Sequence, residues 1–413
     1  MRRKMTISGA AIYVSEHSPP GRRGFFTGFI QASVIGGFVL SLAVVLTCRA
    51  LIPAEAFAAW GWRVPFLLSI LLLAISLWMR LKLSESPVFQ AMKEEGRTSK
   101  NPFVESFTYP GNKKRIFVAL FGVACGLTII FYTALFSTLS FLKGPMRVDD
   151  TAAELIVGAA SLIAVPSFVD FGWLSDRVGR KKPILWGYVA TLVLLFPLFW
   201  GMAELANPKL ADASRATPVV VSDIDCSYNP FATTQATPCG RLLADLTSLG
   251  VRYGIDDSVA PTAEKAQQLV IGRTAYPHGQ LTDDNRKAAV QAWLEANGYD
   301  FAKQVPPPAN IAGILLILVV FGCLSGATFG PVASLLSEMF PPQIRYSSMS
   351  IPYHIGTGYF GGFLPLIAAS IVALTGDIFA GLWYTFVLLI VAIAVAWWGL
   401  PSGPPRDFAD EIA

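Results

Sequence analysis

The chain has 413 residues, of which 53% are hydrophobic and 15% charged, with a formal net charge of +4 and a mean hydropathy of +0.52. So few charges in so long a chain argue against an ordinary soluble protein and for one that crosses a membrane repeatedly. The small positive charge argues against a nucleic-acid partner, because the basic residues are dispersed over helix ends instead of gathered into a patch.

In chain order, the first apolar segment, about 6–17, is too short to span a bilayer alone. Eight longer runs follow at about 24–49, 64–80, 115–142, 152–175, 183–203, 309–337, 348–374 and 378–400. About 20 apolar residues, rising 1.5 Å each as a helix, cross the hydrocarbon core. The expected fold class is therefore an all-α membrane protein whose principal partner is the lipid bilayer.

The turn between 152–175 and 183–203 is the most specific element. It reads Gly172-Trp173-Leu174-Ser175-Asp176-Arg177-Val178-Gly179-Arg180-Lys181-Lys182. Gly172 and Gly179 permit close backbone approach or positive φ. Asp176 is placed to pair with a cation. The basic residues alone would fit any cytoplasmic loop. With this turn inside, the inside segments 18–23, 80–115, 176–182, 338–346 and 401–413 carry 16 Lys and Arg, while the outside loops 49–63, 143–150 and 375–377 carry 4. That asymmetry puts the C-terminus in the cytoplasm and the polar stretch 206–308 outside.

The order G-x-L-S-D-R-x-G-R-K-K resembles the signature loop of the major facilitator superfamily. Further elements resemble its metabolite:proton symporter family, which includes proline/betaine, shikimate, citrate and 2-oxoglutarate permeases. They are Gly330-Pro331, Ser337-Glu338-Met339-Phe340-Pro341, Arg345, Tyr353, Gly361-Gly362, Pro365 and Ser84-Glu85-Ser86-Pro87. The resemblance covers about 6–205 and 309–400. In that family the residues matching Asp176, Arg177 and Arg180 hold the inward-closed state through charge and helix-end contacts. The resemblance thus implies gating roles for them, together with Gly172 and Gly179.

An internal repeat supports the same fold. Ser15-Glu16-His17-Ser18-Pro19-Pro20-Gly21-Arg22-Arg23 matches Ser337-Glu338-Met339-Phe340-Pro341-Pro342-Gln343-Ile344-Arg345 in Ser, Glu, both Pro and Arg, and Gly36 matches Gly358 at the same offset. Each copy reads as a helix end, a proline stop and a new helix opening on Arg. Glu338 with Arg345, and Glu16 with Arg23, are candidate partners in the gating network; interfacial snorkelling is the plainer alternative. The repeat places three spans ahead of the second copy's own helix and none ahead of the first. The expectation is a complete C-terminal six-helix half and an incomplete N-terminal half, through a truncated gene, an incorrect start site or a fragment. The domains read as a partial N-terminal half over 1–80, a cytoplasmic linker over 81–114, three helices over 115–205, an extracytoplasmic insert over 206–308, three helices over 309–400 and a cytoplasmic tail over 401–413.

The insert carries 11 acidic and 9 basic residues. Thr282-Asp283-Asp284 ahead of Asn285–Asn297 reads as a capped amphipathic helix. Pro306-Pro307-Pro308 reads as a stiff spacer. Cys226 and Cys239, thirteen apart, suggest an external disulfide, with two free thiols as the alternative. With only His278 nearby they make a poor zinc site. Cys48, Cys125 and Cys323 read as packing residues.

Polar groups within spans are functional candidates by default. Gln31, Tyr132, Tyr353, His354 and Asp170 are the substrate or proton candidates, although such side chains in membrane helices more often serve packing. His354 has the pKa range of a proton site, and Asp170 stands near the cytoplasmic mouth or joins the Asp176 network. No ATP-binding G-x-x-x-x-G-K-[ST] occurs, no nucleophile–base or metal constellation is evident, and no cofactor is expected. The leading reading is proton-coupled symport of a small polar metabolite: an organic acid, amino acid or betaine. The alternative is a non-transporting remnant or a sensor that uses its outer insert.

Overall fold

The computed structural model describes residues 7–82, 87–96, 99, 101–223, 225–229, 232, 234–256 and 267–403. The Ser84-Glu85-Ser86 portion of the family-like element and the tail from 404 onward lie outside them. Every predicted span folds as a helix, and among the described residues eight helices are long and apolar enough to cross a membrane.

Helix α1 (Ile7–His17) leads into α2 (Arg23–Leu51), followed by the short α3 (Ala54–Ala59) and then α4 (Val64–Lys82). Two short helices, α5 (Pro87–Glu94) and α6 (Pro102–Thr108), occupy the linker. Helix α7 runs Asn112–Lys143 and widens into π-type turns at Val118–Ala124 and Thr133–Ser137. Helices α8 (Asp150–Val178) and α9 (Lys181–Ala206) flank the charged turn. Beyond the insert come α13 (Pro308–Met339), α14 (Arg345–Thr375) and α15 (Leu382–Gly399).

The repeat is visible in the helix boundaries. Helix α1 ends at His17 and α2 begins at Arg23, while α13 ends at Met339 and α14 begins at Arg345. Both boundaries keep the 322-residue offset. The paired prolines set them, since proline cannot continue a helix. Ser15 Oγ lies 2.8 Å from Ser337 Oγ, its own counterpart at separation 322. A residue touching its equivalent is what a local twofold axis produces.

The insert departs from the sequence reading. Besides the predicted helix it holds a four-stranded sheet of order β2-β1-β3-β4, with β1 (Val219–Ser222), β2 (Tyr253–Asp256), β3 (Gln268–Ile271) and β4 (Thr274–Pro277). Helix α10 (Pro208–Ala216) precedes β1, and α11 (Pro238–Leu249) crosses from β1 to its parallel neighbour β2. Helix α12 (Asp283–Ala296) is the predicted one, but Thr282 sits at its N-cap without a side-chain capping bond. Leu242, Leu246, Leu269, Ile271, Val290 and Leu294 form a core separate from that of the membrane helices. Cys226 and Cys239 are joined in a disulfide with Cα atoms 4.8 Å apart, which ties the start of α11 to the segment after β1. The insert also docks on the membrane helices. The Tyr253 hydroxyl donates to Ala373 O at 2.6 Å, its N–H donates to Gly376 O at 3.0 Å, and Gln304 N–H donates to Arg147 O at 3.0 Å.

One buried ionisable group gives the insert a pH dependence. His278 is 2% exposed, with Nε2 3.5 Å from Asp223 Oδ2. Burial holds its pKa below the usual 6.5; Asp223 opposes that shift and Arg286 adds to it. An unfolded histidine titrates near 6.5. Between the folded and unfolded values the unfolded state binds more protons, so this stability is full above about pH 6.5 and is lost as pH falls below it. Amide protection of β1 and β3 in the full chain, corrected for intrinsic exchange, should be weaker at pH 5.5 than at 7.5. His278→Gln should flatten that difference; an unchanged pH dependence would refute the assignment.

Candidate functional site

The charged turn organises one end of the helical bundle. Helix α8 ends where Gly179 takes φ +90°. The chain re-enters α9 at Lys181, so Asp176 and Arg180 are brought together with a 2.6 Å ion pair. The two Asp176 oxygens also accept from Gly24 N–H at 2.8 Å and Phe25 N–H at 2.9 Å. Those are first-turn amides of α2, which have no intrahelical acceptor and carry the positive end of the helix dipole. Arg180 continues outward: its Nε and Nη2 donate to the two Glu338 oxygens at 3.1 and 2.8 Å, and Nη1 donates to Ser175 Oγ at 2.6 Å. All three charged side chains are 7% exposed or less. Burial works to lower the Arg180 pKa, but Glu338 and Asp176 outweigh it and raise it. One guanidinium therefore serves two carboxylates, and the α2 N-terminus supplies the remaining positive potential.

One ion pair crosses between the two repeated turns. Arg345 Nη1 meets Glu16 Oε1 at 3.0 Å, and Arg345 Nε donates to Phe340 O at 3.1 Å. Glu338 goes to Arg180. The expected Glu338–Arg345 pairing within one turn is thus replaced by a contact between turns, because the Ser15–Ser337 contact sets the two turns side by side. Arg23, the equivalent of Arg345, is buried at the start of α2. Arg177 points away from the cluster and lies 3.9 Å over the exposed Trp173 ring. Asp170 is also exposed and makes none of the Asp176 contacts.

Close helix approach holds this end together. A Cβ on Gly24 would stand 2.2 Å from Gly172 O and 2.4 Å from Arg180 Nη1, and one on Gly28 would stand 2.9 Å from Phe168 O. Gly24-x-x-x-Gly28 is the small-residue spacing that lets membrane helices pack backbone to backbone. That spacing was readable in the sequence and was missed; Ser175 stood within the quoted turn but was given no role there.

Farther from the turn, α2, α7, α8 and α13 surround a small cavity of about 20 Å³ lined by Ile35, Phe131, Ser161, Phe168, Leu318, Ser325 and neighbours. None of the five sequence-predicted substrate or proton candidates lines it. Gln31 is buried one turn before Ile35, and its Oε1 has no hydrogen-bond partner among the described residues. Tyr132 packs against Phe136 and beside Gly361 of α14. Tyr353 is buried, whereas His354 is exposed and touches the Tyr353 ring edge-on. Ser325 was not anticipated; its Oγ is buried without a partner among the described residues.

Comparison with known proteins places this geometry. The sequence model described as Major Facilitator Superfamily matches residues 4–207. The glycine betaine/proline/ectoine/pipecolic acid transporter OusA of Dickeya dadantii is 31% identical over 198 residues, covering 46% of this chain and 40% of that protein. A proline/betaine transporter of Salmonella typhimurium is 22% identical over 392 residues, covering 94% of this chain and 57% of that one. The alpha-ketoglutarate permease of Escherichia coli is 28% identical, covering 49% of this chain and 45% of its own length. The chain spans about half the length of the curated relatives it matches. No solved structure matches it. The match takes in α1 through α9 of this multi-pass membrane chain, the charged turn included, and the relatives it resembles there carry the names of transporters and permeases rather than enzymes.

Proposed function

We propose that the chain acts in secondary active transport, as a proton-coupled symporter of a small polar metabolite: an organic acid, an amino acid or a betaine. The observation that carries the reading is the buried Asp176–Arg180–Glu338 cluster seated on the α2 N-terminus. Such a cluster is a latch: it closes one end of a seam between helices and must open when that end admits solute. Residues 7–82 and 112–400 are the two bodies that rock, related by the local twofold at Ser15 and Ser337, with the solute held near mid-membrane. The small cavity beside Ile35 and Ser325 lies along the passage, which widens when the halves rock, and Gln31 is the strongest of the polar candidates because its amide oxygen is buried without a partner among the described residues. The charged turn and the C-terminus face the cytoplasm, and the insert faces an oxidising exterior, in keeping with its disulfide.

The test is uptake into proteoliposomes under an imposed pH gradient, with labelled proline, glycine betaine and 2-oxoglutarate as probes. Accumulation of one of them with the inside alkaline, abolished by a protonophore, is the expected result. Failure of all three with correctly inserted protein would overturn the reading. A second reading, a membrane sensor, is favoured by one observation: the insert has its own core, sheet and disulfide. Ligand-dependent protection of the insert without any uptake would support it.

A further inference from the structure

The α2–α8 seam is tied at both ends, and the tie at the insert end is built differently. Glu154, in the second turn of α8, is 5% exposed. Its carboxylate accepts from Arg49 Nη1 of α2 at 3.2 and 3.5 Å, and it pairs with Lys143 at the end of α7. One turn earlier Asp150 pairs with Lys303 of the insert. A carboxylate this deep in a membrane protein needs a cation. It has two, and they come from different places. Lys143 and Glu154 belong to consecutive helices joined by residues 144–149, so they move as one piece. Arg49 comes from α2, across the seam.

We propose that Arg49–Glu154 is the gate contact at the insert end, with Glu154 the positioning residue and Lys143 its permanent counter-ion. This rests on the rocking reading above. When the seam parts at this end, Arg49 withdraws and Glu154 keeps Lys143, so no buried charge is stranded. Arg49 is 40% exposed even in the closed arrangement, so its release exposes little that was dry. At the other end the contact across the seam is Asp176, 4% exposed, accepting from the Gly24 and Phe25 amides of α2. Parting it strands two first-turn amides and takes the anion from that helix end, a cost that a half-exposed ion pair does not carry. The two ends are therefore unequal latches, and the insert end opens more readily.

Leu42 reports on this seam, since a Cβ on Gly158 of α8 would stand 3.6 Å from Leu42 Cδ1. The test uses the full chain in nanodiscs with Cys48, Cys125 and Cys323 replaced by alanine, the disulfide intact and Leu42→Cys as the reporter. A sulfonated maleimide should label position 42 roughly tenfold faster in Arg49→Ala and in Glu154→Gln, and no faster still in the double variant, because both remove one contact. Lys143→Ala should stay within about twofold of the parent, which a general loosening of the site would not predict. Arg49 is partly exposed, so its variant carries the test even if Glu154→Gln folds poorly. Unchanged labelling in Arg49→Ala, or equal acceleration in Lys143→Ala, would overturn the gate. If labelling behaves as expected while the parent protein moves no solute, the gate stands and the transport reading falls. Uptake by the parent with unchanged labelling in the variants would instead remove the gate and leave transport standing.

Discussion

Asp176→Asn should impair uptake by at least about tenfold and lower the melting temperature in detergent by roughly 5 °C or more, while leaving membrane insertion intact. The carboxylate accepts from Gly24 N–H, Phe25 N–H and Arg180 Nη1, all donors. Asparagine offers one acceptor oxygen and turns an NH₂ group toward donors, of which the Gly24 and Phe25 amides have no intrahelical acceptor. It also removes the anion that balances Arg180 and the α2 N-terminus. Removing one partner of a buried ion pair costs about 3–5 kcal/mol, and the helix-end term adds about 0.5–2 kcal/mol. A penalty of that size shifts a two-state latch by two orders of magnitude or more. Arg180 would keep its bidentate contact with Glu338, so the fold should survive while the closed state at this end is depleted. Uptake kinetics and thermal melting equal to the parent's would remove Asp176 from the gate.

Two glycine substitutions on one helix should have opposite signs. Gly24→Ala places a methyl group 2.2 Å from the Gly172 carbonyl oxygen, and the obstacle is backbone, which cannot rotate aside. The helices must separate, at a cost near the upper end of the 1–3 kcal/mol range for overpacking. Separation also draws the Gly24 and Phe25 amides off Asp176. Gly36→Ala, three turns along α2, meets nothing within 4 Å. There the methyl only restricts the unfolded chain and improves helix propensity, worth up to about 1 kcal/mol of stabilisation. Thermal melting of the two variants in the same detergent is the measurement. A neutral Gly24→Ala would mean that α2 and α8 do not meet backbone to backbone.

The helical plan was legible because its signals are local. Apolar runs of membrane length, the Pro19-Pro20 and Pro341-Pro342 stops, and the charged turn each announce themselves within about 20 residues. The repeat reached further, since its constant offset relates the turns of Glu16 and Arg345, residues 329 apart in the chain. It misled in the pairing, because sequence order favours a partner seven residues away over one across an axis. The sheet of the insert was not legible. Its strands are four residues long, and Val219-Val220-Val221-Ser222 lacks the clean alternation that marks a half-buried strand. Arg49 and Glu154 were missed for a different reason. Each is an ordinary charge near a helix end, and only the crossing of α2 with α8 makes them a pair. The cavity residues Ser161 and Ser325 are likewise inconspicuous until four helices enclose them.

The insert leaves the membrane helices at Ala206 and returns at Pro308, and the two ends are nearly in contact: Asn310 Nδ2 donates to Leu205 O at 2.9 Å. About a hundred residues therefore depart and come back through a gap that a short hairpin would close. A graft with neighbouring stem ends imposes no stretch on its host, and lengthening such a loop carries only a slowly growing entropic penalty. Helices α9 and α13 can keep the packing they would have with a tight connection. The module can accordingly be gained, exchanged or trimmed over evolutionary time as a detachable appendage. The seam between α2 and α8, where the buried carboxylates find their counterparts on other helices, has no comparable freedom.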